Sequence, residues 1–256
     1  MDSGEHLHCA IRCDAVSMLP CREAAPVWVS GEIPEGASWS GAGATVVGGE
    51  HADVNPLVTV VTPTLPRPKL LIERCIPSVW AQTYSPIEHL VIFDGLNPVG
   101  RMQLADLGYT PLGVGGRRLV ECGRRWGGVG HAARAAGAWL ARGDWICYLD
   151  DDNEYLPGHV EAMIEEAERA GVPLVCTAWR MPDGETWGWS PPGTNRTDSS
   201  SFLHHRDLLK VSSWQPADGY AADGALIDRW IAAGVAWSFL QEPTLVYHGA
   251  RGGAPE

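Results

Sequence analysis

Three consecutive carboxylates, Asp150, Asp151 and Asp152, follow directly on an apolar run, DWICYL at 144–149. Adjacent like charges repel, a cost tolerated mainly where a cation or hydrogen-bond donors compensate it. Along an extended chain Asp150 and Asp152 point to the same side. That arrangement suits a hard Mg2+ or Mn2+ ion bridging two phosphate oxygens, because such ions take oxygen ligands and leave part of their shell to substrate phosphates. The same triplet also reads as a solvated turn that N-caps the next helix. Its place after a buried strand favours the metal.

Charge bears on the same question. The 256 residues carry a formal net charge of −12, with only two lysines, Lys69 and Lys210. Nucleic acid and anionic membranes reward clustered Lys and Arg, so neither is expected as a partner. A phosphate-bearing substrate would still need local positive charge, and a divalent cation would supply it.

The elements that must hold these carboxylates follow from apolar periodicity. LVTVVT (57–62), HLVIF (89–93), DWICYL (144–149) and VPLVCTAW (172–179) read as strands, the first ended by Pro63 and the second by Asp94-Gly95. Helical spacing covers Lys69 to Thr83, where Pro77 should kink the helix or confine it to shorter pieces, His131 to Ala141, and 157–170. The Trp- and Pro-rich stretch 179–197 reads as a long loop. Helices near 202–210 and 221–233 and a strand near 243–247 follow. Strand and helix alternate, which predicts an α/β fold: a mainly parallel central sheet flanked by helices, with a ligand crevice at the carboxyl ends of the strands.

Residues 1–55 lack a sustained period and read as a partly irregular amino-terminal extension, with one domain over 56–256. His6, His8, Cys9, Cys13 and Cys21 match no standard zinc spacing. The longest apolar runs fall far short of the roughly 20 residues needed to span a bilayer, so no integral membrane association is expected. The amino end lacks the basic-then-apolar order of a signal peptide. With seven scattered cysteines, these features predict a cytoplasmic protein with reduced thiols.

Four segments, in order and in register, carry a resemblance. VTVVTPTLPRPKLLIERCIPSVWAQTY (58–84), IEHLVIFDG (87–95), HAARAAGAWLARGDWICYLDDDN (131–153) and DGALIDRWIAAGVAWSFLQEPTLVYH (223–248) resemble the family 2 glycosyltransferases. Those are mostly inverting enzymes of the GT-A fold with an Asp-x-Asp metal motif. The resemblance implies that Pro63 and Thr64 line a nucleotide pocket and that Asp94 accepts a hydrogen bond from the base. Without it, Asp94 would be an ordinary turn residue. Arg134 matches an arginine that faces the donor or holds the Asp cluster, a surface ion pair being the alternative. Asp150 and Asp151 fall on the nucleotide side, and Asp152 is the main metal ligand. Asp223 matches the general base, with Asp218 as rival and helix N-capping as its alternative. His248 falls where some members add a metal ligand; an ordinary loop histidine is the other reading.

Trp179, Trp187, Trp189 and Trp214 crowd the stretch between metal motif and base, where an acceptor should enter, since indole faces stack on rings. For any single Trp, core packing competes. Ser201, within Ser199–Ser201, falls where the family contacts sugar or acceptor, or it starts a capped helix.

The expected function is thus metal-dependent, inverting hexosyl transfer from a nucleotide-diphosphate sugar, UDP first and dTDP next. The acceptor is expected to be a small or carrier-bound molecule, as in natural-product biosynthesis; a cell-surface polysaccharide or lipid-linked sugar is the rival within the class. Four departures from the family pattern, Leu65-Pro66, Phe93, Ala135 and Ala222, bear on sugar and acceptor preference. A sugar nucleotidyltransferase would want a glycine-rich basic loop after the first strand, and TPTLPRPK contains no glycine. A non-catalytic nucleotide-sugar binding module would have lost base or metal ligands, and both are retained.

Overall fold

The structure, a computed structural model, describes residues 55–65 and 68–249. The amino-terminal extension with its cysteines and histidines therefore lies outside the described residues. In chain order, β1 (Val58–Thr64) is followed by α1 (Pro68–Leu70), which passes through a π-helical turn (Leu71–Cys75) into α2 (Ile76–Trp80). Next come β2 (Ile87–Phe93), α3 (Pro98–Asp106), β3 (Arg117–Glu121), α4 (His131–Leu140) and β4 (Trp145–Tyr148). The chain continues through β5 (Glu154–Tyr155), α5 (His159–Ala170), β6 (Leu174–Thr177), β7 (Trp179–Arg180) and β8 (Thr186–Trp187). Last are β9 (Phe202–His205), α6 (Ala222–Ala232), β10 (Ser238–Leu240) and β11 (Leu245–Val246).

Seven strands form the main sheet in the order β10-β6-β9-β4-β1-β2-β3. All pairings are parallel except those of β9, which runs antiparallel to both β4 and β6. Side chains alternate across the sheet, as a period of two requires. Val58, Val60, Val91, Phe93 and Cys147 pack with residues of α2 and α5 on one face. Val61, Leu90, Ile92, Ile146 and Tyr148 pack with residues of α4 and α6 on the other. The result is a three-layer α/β/α arrangement. A smaller sheet, β5-β11-β7-β8, sits beyond the carboxyl end of β4.

Several expectations are corrected. β1 runs through Pro63 to Thr64 instead of stopping at residue 62. Pro63 is tolerated because its missing N–H faces the side where β4 has ended: Leu149 N donates to Val61 O, while Thr64 O accepts from Asp94 N on the β2 side. Around Pro77 the helix is confined to short pieces, one of the two outcomes expected there. The π-helical turn before it, in which Ile76 N reaches back to Leu71 O, absorbs the lost hydrogen bond. The helix expected near 202–210 is β9 followed by a 3-10 turn (Arg206–Lys210), because strand pairing on both sides outweighs local propensity. The stretch 179–197 is not all loop, since β7 and β8 pair within it. No helix among the described residues is long and apolar enough to cross a membrane.

Candidate active site

The carboxylate triplet forms a turn at the end of β4, closed by Asn153 N donating to Asp150 O at 3.0 Å. This corrects the extended geometry expected there. Nor does the triplet cap a helix, since α5 has Gly158 at its N-cap position. The three acids face different surroundings. Asp151 turns inward, 3% exposed, and accepts from Thr64 Oγ1 at 2.6 Å, which ties the ends of β1 and β4 together. Asp150 faces the crevice, where the Arg134 guanidinium pairs with Oδ1 and the Ser199 hydroxyl lies 3.3 and 3.2 Å from its two oxygens. Asp152 is held through its backbone carbonyl, which accepts from Arg74 Nη1 at 2.7 Å.

Arg134 is buried on α4, and Nη1 donates to Val129 O at 2.7 Å. Burial opposes its charge, but the Asp150 carboxylate outweighs that and raises its pKa. Arg134 thus forms a buried pair with Asp150 rather than a surface ion pair. Asp94, also buried, accepts from Trp126 N at 2.7 Å and Gly127 N at 2.9 Å. It thereby fixes the loop that leads into α4. Within that loop Val129 adopts φ 55, a left-handed conformation costly for a β-branched residue, by roughly 1–3 kcal/mol. Pro63 lies beside the same loop, where a Cβ added at Gly130 would meet its ring at 3.4 Å. Pro63, Thr64, Asp94, Arg134 and Asp150 thus gather around the carboxyl ends of β1, β2 and β4.

A second crevice, about 310 Å3, opens on Asp198, the residue before the Ser199 that contacts Asp150. Trp179, Trp187 and Trp189 form one wall, and Asp198, Asp223 and Tyr247 line the rest, with Arg196 at the loop after Asn195. Trp189 packs at 5.7 Å from both other indoles and remains 40% exposed. Asp223 lies in the first turn of α6, with Oδ1 accepting from Gly224 N. Burial pushes its carboxyl up to about 6, helped by the Asp150 charge and opposed by the Gly224 N–H and Arg134. Asp198 is driven well above the carboxylate range, first by burial and then by the charges of Asp150 and Asp223.

Asp218, the rival base, is engaged in an ion pair with Arg229 at 2.9 Å. Two expected acceptor contacts are corrected. Trp214 is 4% exposed and packs on Tyr148, Phe202 and His131, so it belongs to the core on the α6 face. Ser201 is 1% exposed and completes a capping box with Asp198, its Oγ donating to Asp198 O at 2.7 Å. His248 lies beside the carboxylate turn, with its N donating to Asn153 Oδ1 at 2.8 Å and Nε2 3.3 Å from Glu154 Oε1.

Sequence reasoning missed Asp198. It caps the 3-10 turn Ser199–Ser201, whose Ser199 and Ser200 hydroxyls meet Asp150 and Asn153. An Asp followed by three serines is a capping signature and could have flagged it. The all-oxygen donor set of Asp150 and Asp152 fits a hard divalent cation whose shell is completed by substrate phosphates. Among the described residues no three His, Cys, Asp or Glu side chains converge on one point.

The sequence model of glycosyl transferase family 2 matches residues 59–221. The chain belongs to this family. No curated protein matches it. Among solved structures, residues 1–349 of S. aureus TarS superpose with a TM-score of 0.61 at 14% identity, covering 75% of this chain and 60% of that one. The same TarS fragment in complex with UDP-GlcNAc gives 0.62 at 15% identity, over 77% and 59%. Mannosyltransferase PcManGT from Pyrobaculum calidifontis, in complex with GDP-Man and Mn2+, gives 0.62 at 17% identity, over 78% and 59%. At these identities the likeness concerns the fold, which is GT-A-like in this chain too. This family 2 chain spans about three fifths of the length of those solved chains.

Proposed function

We propose that the protein transfers a sugar from a nucleotide-diphosphate sugar to an acceptor hydroxyl, with Mg2+ or Mn2+ bound at Asp152 and Asp150. The observation that supports this reading is the arrangement around the carboxylate turn: Arg134 and Ser199 hold Asp150 at the end of β4, while Asp198, next to Ser199, and Asp223 line the aromatic crevice. Inverting transfer needs that pairing. One station holds the leaving diphosphate, and the other removes the acceptor proton on the opposite face of the anomeric carbon.

Pro63 and Thr64 line the nucleotide side in this reading. Asp94 orders the Trp126–Gly127 backbone and offers its remaining lone pairs to the base, since a carboxylate can accept about four hydrogen bonds. Asp151 braces the turn through Thr64. Arg134 and Ser199 aim Asp150. A bound cation supplies charge stabilisation for the departing diphosphate. Asp223 is the base: its raised pKa makes it a better proton acceptor than an ordinary carboxylate while leaving it largely ionised at neutral pH. The aromatic crevice takes the acceptor. The donor nucleotide is UDP, with dTDP next; GDP is the alternative, because PcManGT was solved with GDP-Man.

Calorimetric titration of UDP, dTDP and GDP with and without Mn2+, on the wild type and on Asp152→Ala, tests the donor half. Manganese-dependent binding of one diphosphate, lost in the variant, is expected. No binding of any of the three would overturn the reading.

A further inference from the structure

The loop 193–197 is not an ordinary surface excursion. Thr194 N and Oγ1 both donate to the Asp228 carboxylate on α6, and Gly193 N donates to Thr197 Oγ1 at 2.9 Å. A Cβ at Gly224, next to Asp223, would collide with the Gly193 carbonyl and the Thr194 backbone; one at Gly193, where φ is 144, would strike Asp228. Asn195 takes φ 60, and Arg196 N closes the turn on Gly193 O at 3.0 Å. The loop is therefore pinned, backbone against backbone, to the turn of α6 that carries the base candidate.

What this platform presents to the crevice is Arg196. Its neighbours Asp198 and Asp223 are both acids, yet the cation that both acids feel is Arg134, and the acid on the Gly193 side of Arg196, Asp228, is already held by Thr194 N and Oγ1. A chain with a net charge of −12 has thus placed an arginine that neutralises neither acid on a rigid mount beside a three-indole wall. Guanidinium forks recognise carboxylates and phosphates through paired hydrogen bonds, and indole faces hold flat rings.

We propose that the acceptor is a ring-bearing anion, its ring against Trp187 and Trp189 and its carboxylate or phosphate on Arg196, with a hydroxyl thereby delivered to Asp223. This rests on reading the aromatic crevice as the acceptor site. It makes Arg196 a determinant of specificity rather than of the transfer step.

Quenching of tryptophan fluorescence by three probes tests the proposal: 4-nitrophenyl β-D-glucoside, 4-nitrophenyl β-D-glucuronide and 4-nitrophenyl phosphate. The glucuronide should bind about tenfold more tightly than the glucoside, the size of one charge-assisted contact. Arg196→Gln should bring the two to parity, while Trp189→Leu should weaken both alike. Phosphate binding more tightly than glucuronide would identify a phosphate as the anion; the reverse would identify a carboxylate. Equal affinity for glucoside and glucuronide, a preference that survives in Arg196→Gln, or no quenching by any probe would overturn the proposal. Titration of the wild type with UDP and manganese reads the transferase proposal separately.

Discussion

The Ser199 hydroxyl shares its proton between the two carboxylate oxygens of Asp150, at 3.3 and 3.2 Å, on a turn that Asp198 caps. A residue of the turn before β9 therefore aims an acid of the turn after β4. Ser199→Ala removes that contact and leaves Arg134 to orient Asp150. At a cost of about 1 kcal/mol, manganese-dependent UDP affinity should fall roughly fivefold. Calorimetry checks this, and an unchanged affinity would mean that Arg134 alone sets the carboxylate.

Asp223→Asn should lower sugar release from the preferred donor about 10²–10⁴-fold while changing UDP affinity less than about twofold. In the wild type the base must be ionised, and its pKa is pushed up to about 6. Activity should therefore fall as pH drops through about 6 and level off above it. A profile that is flat between about pH 5 and 7 would remove Asp223 from the base role.

Asp198 predicts a stability effect of definite sign. Its folded pKa lies above the ordinary value of 3.8, so the protonated form favours folding and that advantage is lost as pH rises from about 4 towards about 8. Asp198→Asn keeps a side-chain oxygen for the cap and cannot ionise. Relative to wild type, the metal-free variant should gain on the order of 1–3 kcal/mol at alkaline pH and little near pH 4, as measured by urea unfolding. A loss at alkaline pH would contradict the assignment.

Gly224→Ala should destabilise by about 1–3 kcal/mol, because the added methyl meets the backbone of Gly193 and Thr194 rather than a yielding side chain. Thermal unfolding measures the cost. The same substitution should loosen the mount of Arg196 and reduce discrimination between the glucuronide and glucoside probes.

Much of the fold could be read in advance where one face of an element is apolar. β1, β2, β4, β6, α4, α5 and α6 fall close to their expected spans because burial imposes a period of two or 3.6. β3 escaped because RRLVE is an edge strand with half-buried arginines and only Leu119 buried. β9 escaped because His204 and His205 look polar, although His204 is buried against Tyr148 and Trp230. Its strand character comes from partners 26 to 60 residues away, which no local window contains. At the site, residue type singled out Asp150 and the tryptophans, and the family resemblance singled out Asp223. It could not say which indole faces inward, and Trp214 does so while Trp189 stays open. The role of Asp198 depends on its proximity to Asp150 and Asp223, set by the turn that spans them.

The antiparallel strand β9 has a consequence for synthesis. As the chain leaves the ribosome, β1 to β4 can assemble from residues 58–148, and that four-stranded half ends in the unpaired flank of β4. The flank stays bare until Phe202–His205 emerge to take their places opposite Trp145 to Cys147 and, on the other side, Leu174 to Cys176. Until then the nascent chain exposes an apolar ladder of the kind that recruits neighbouring chains or chaperones. Strand β9 acts as a seal, and a fragment that stops before Phe202 should be aggregation-prone however complete its nucleotide-side residues are.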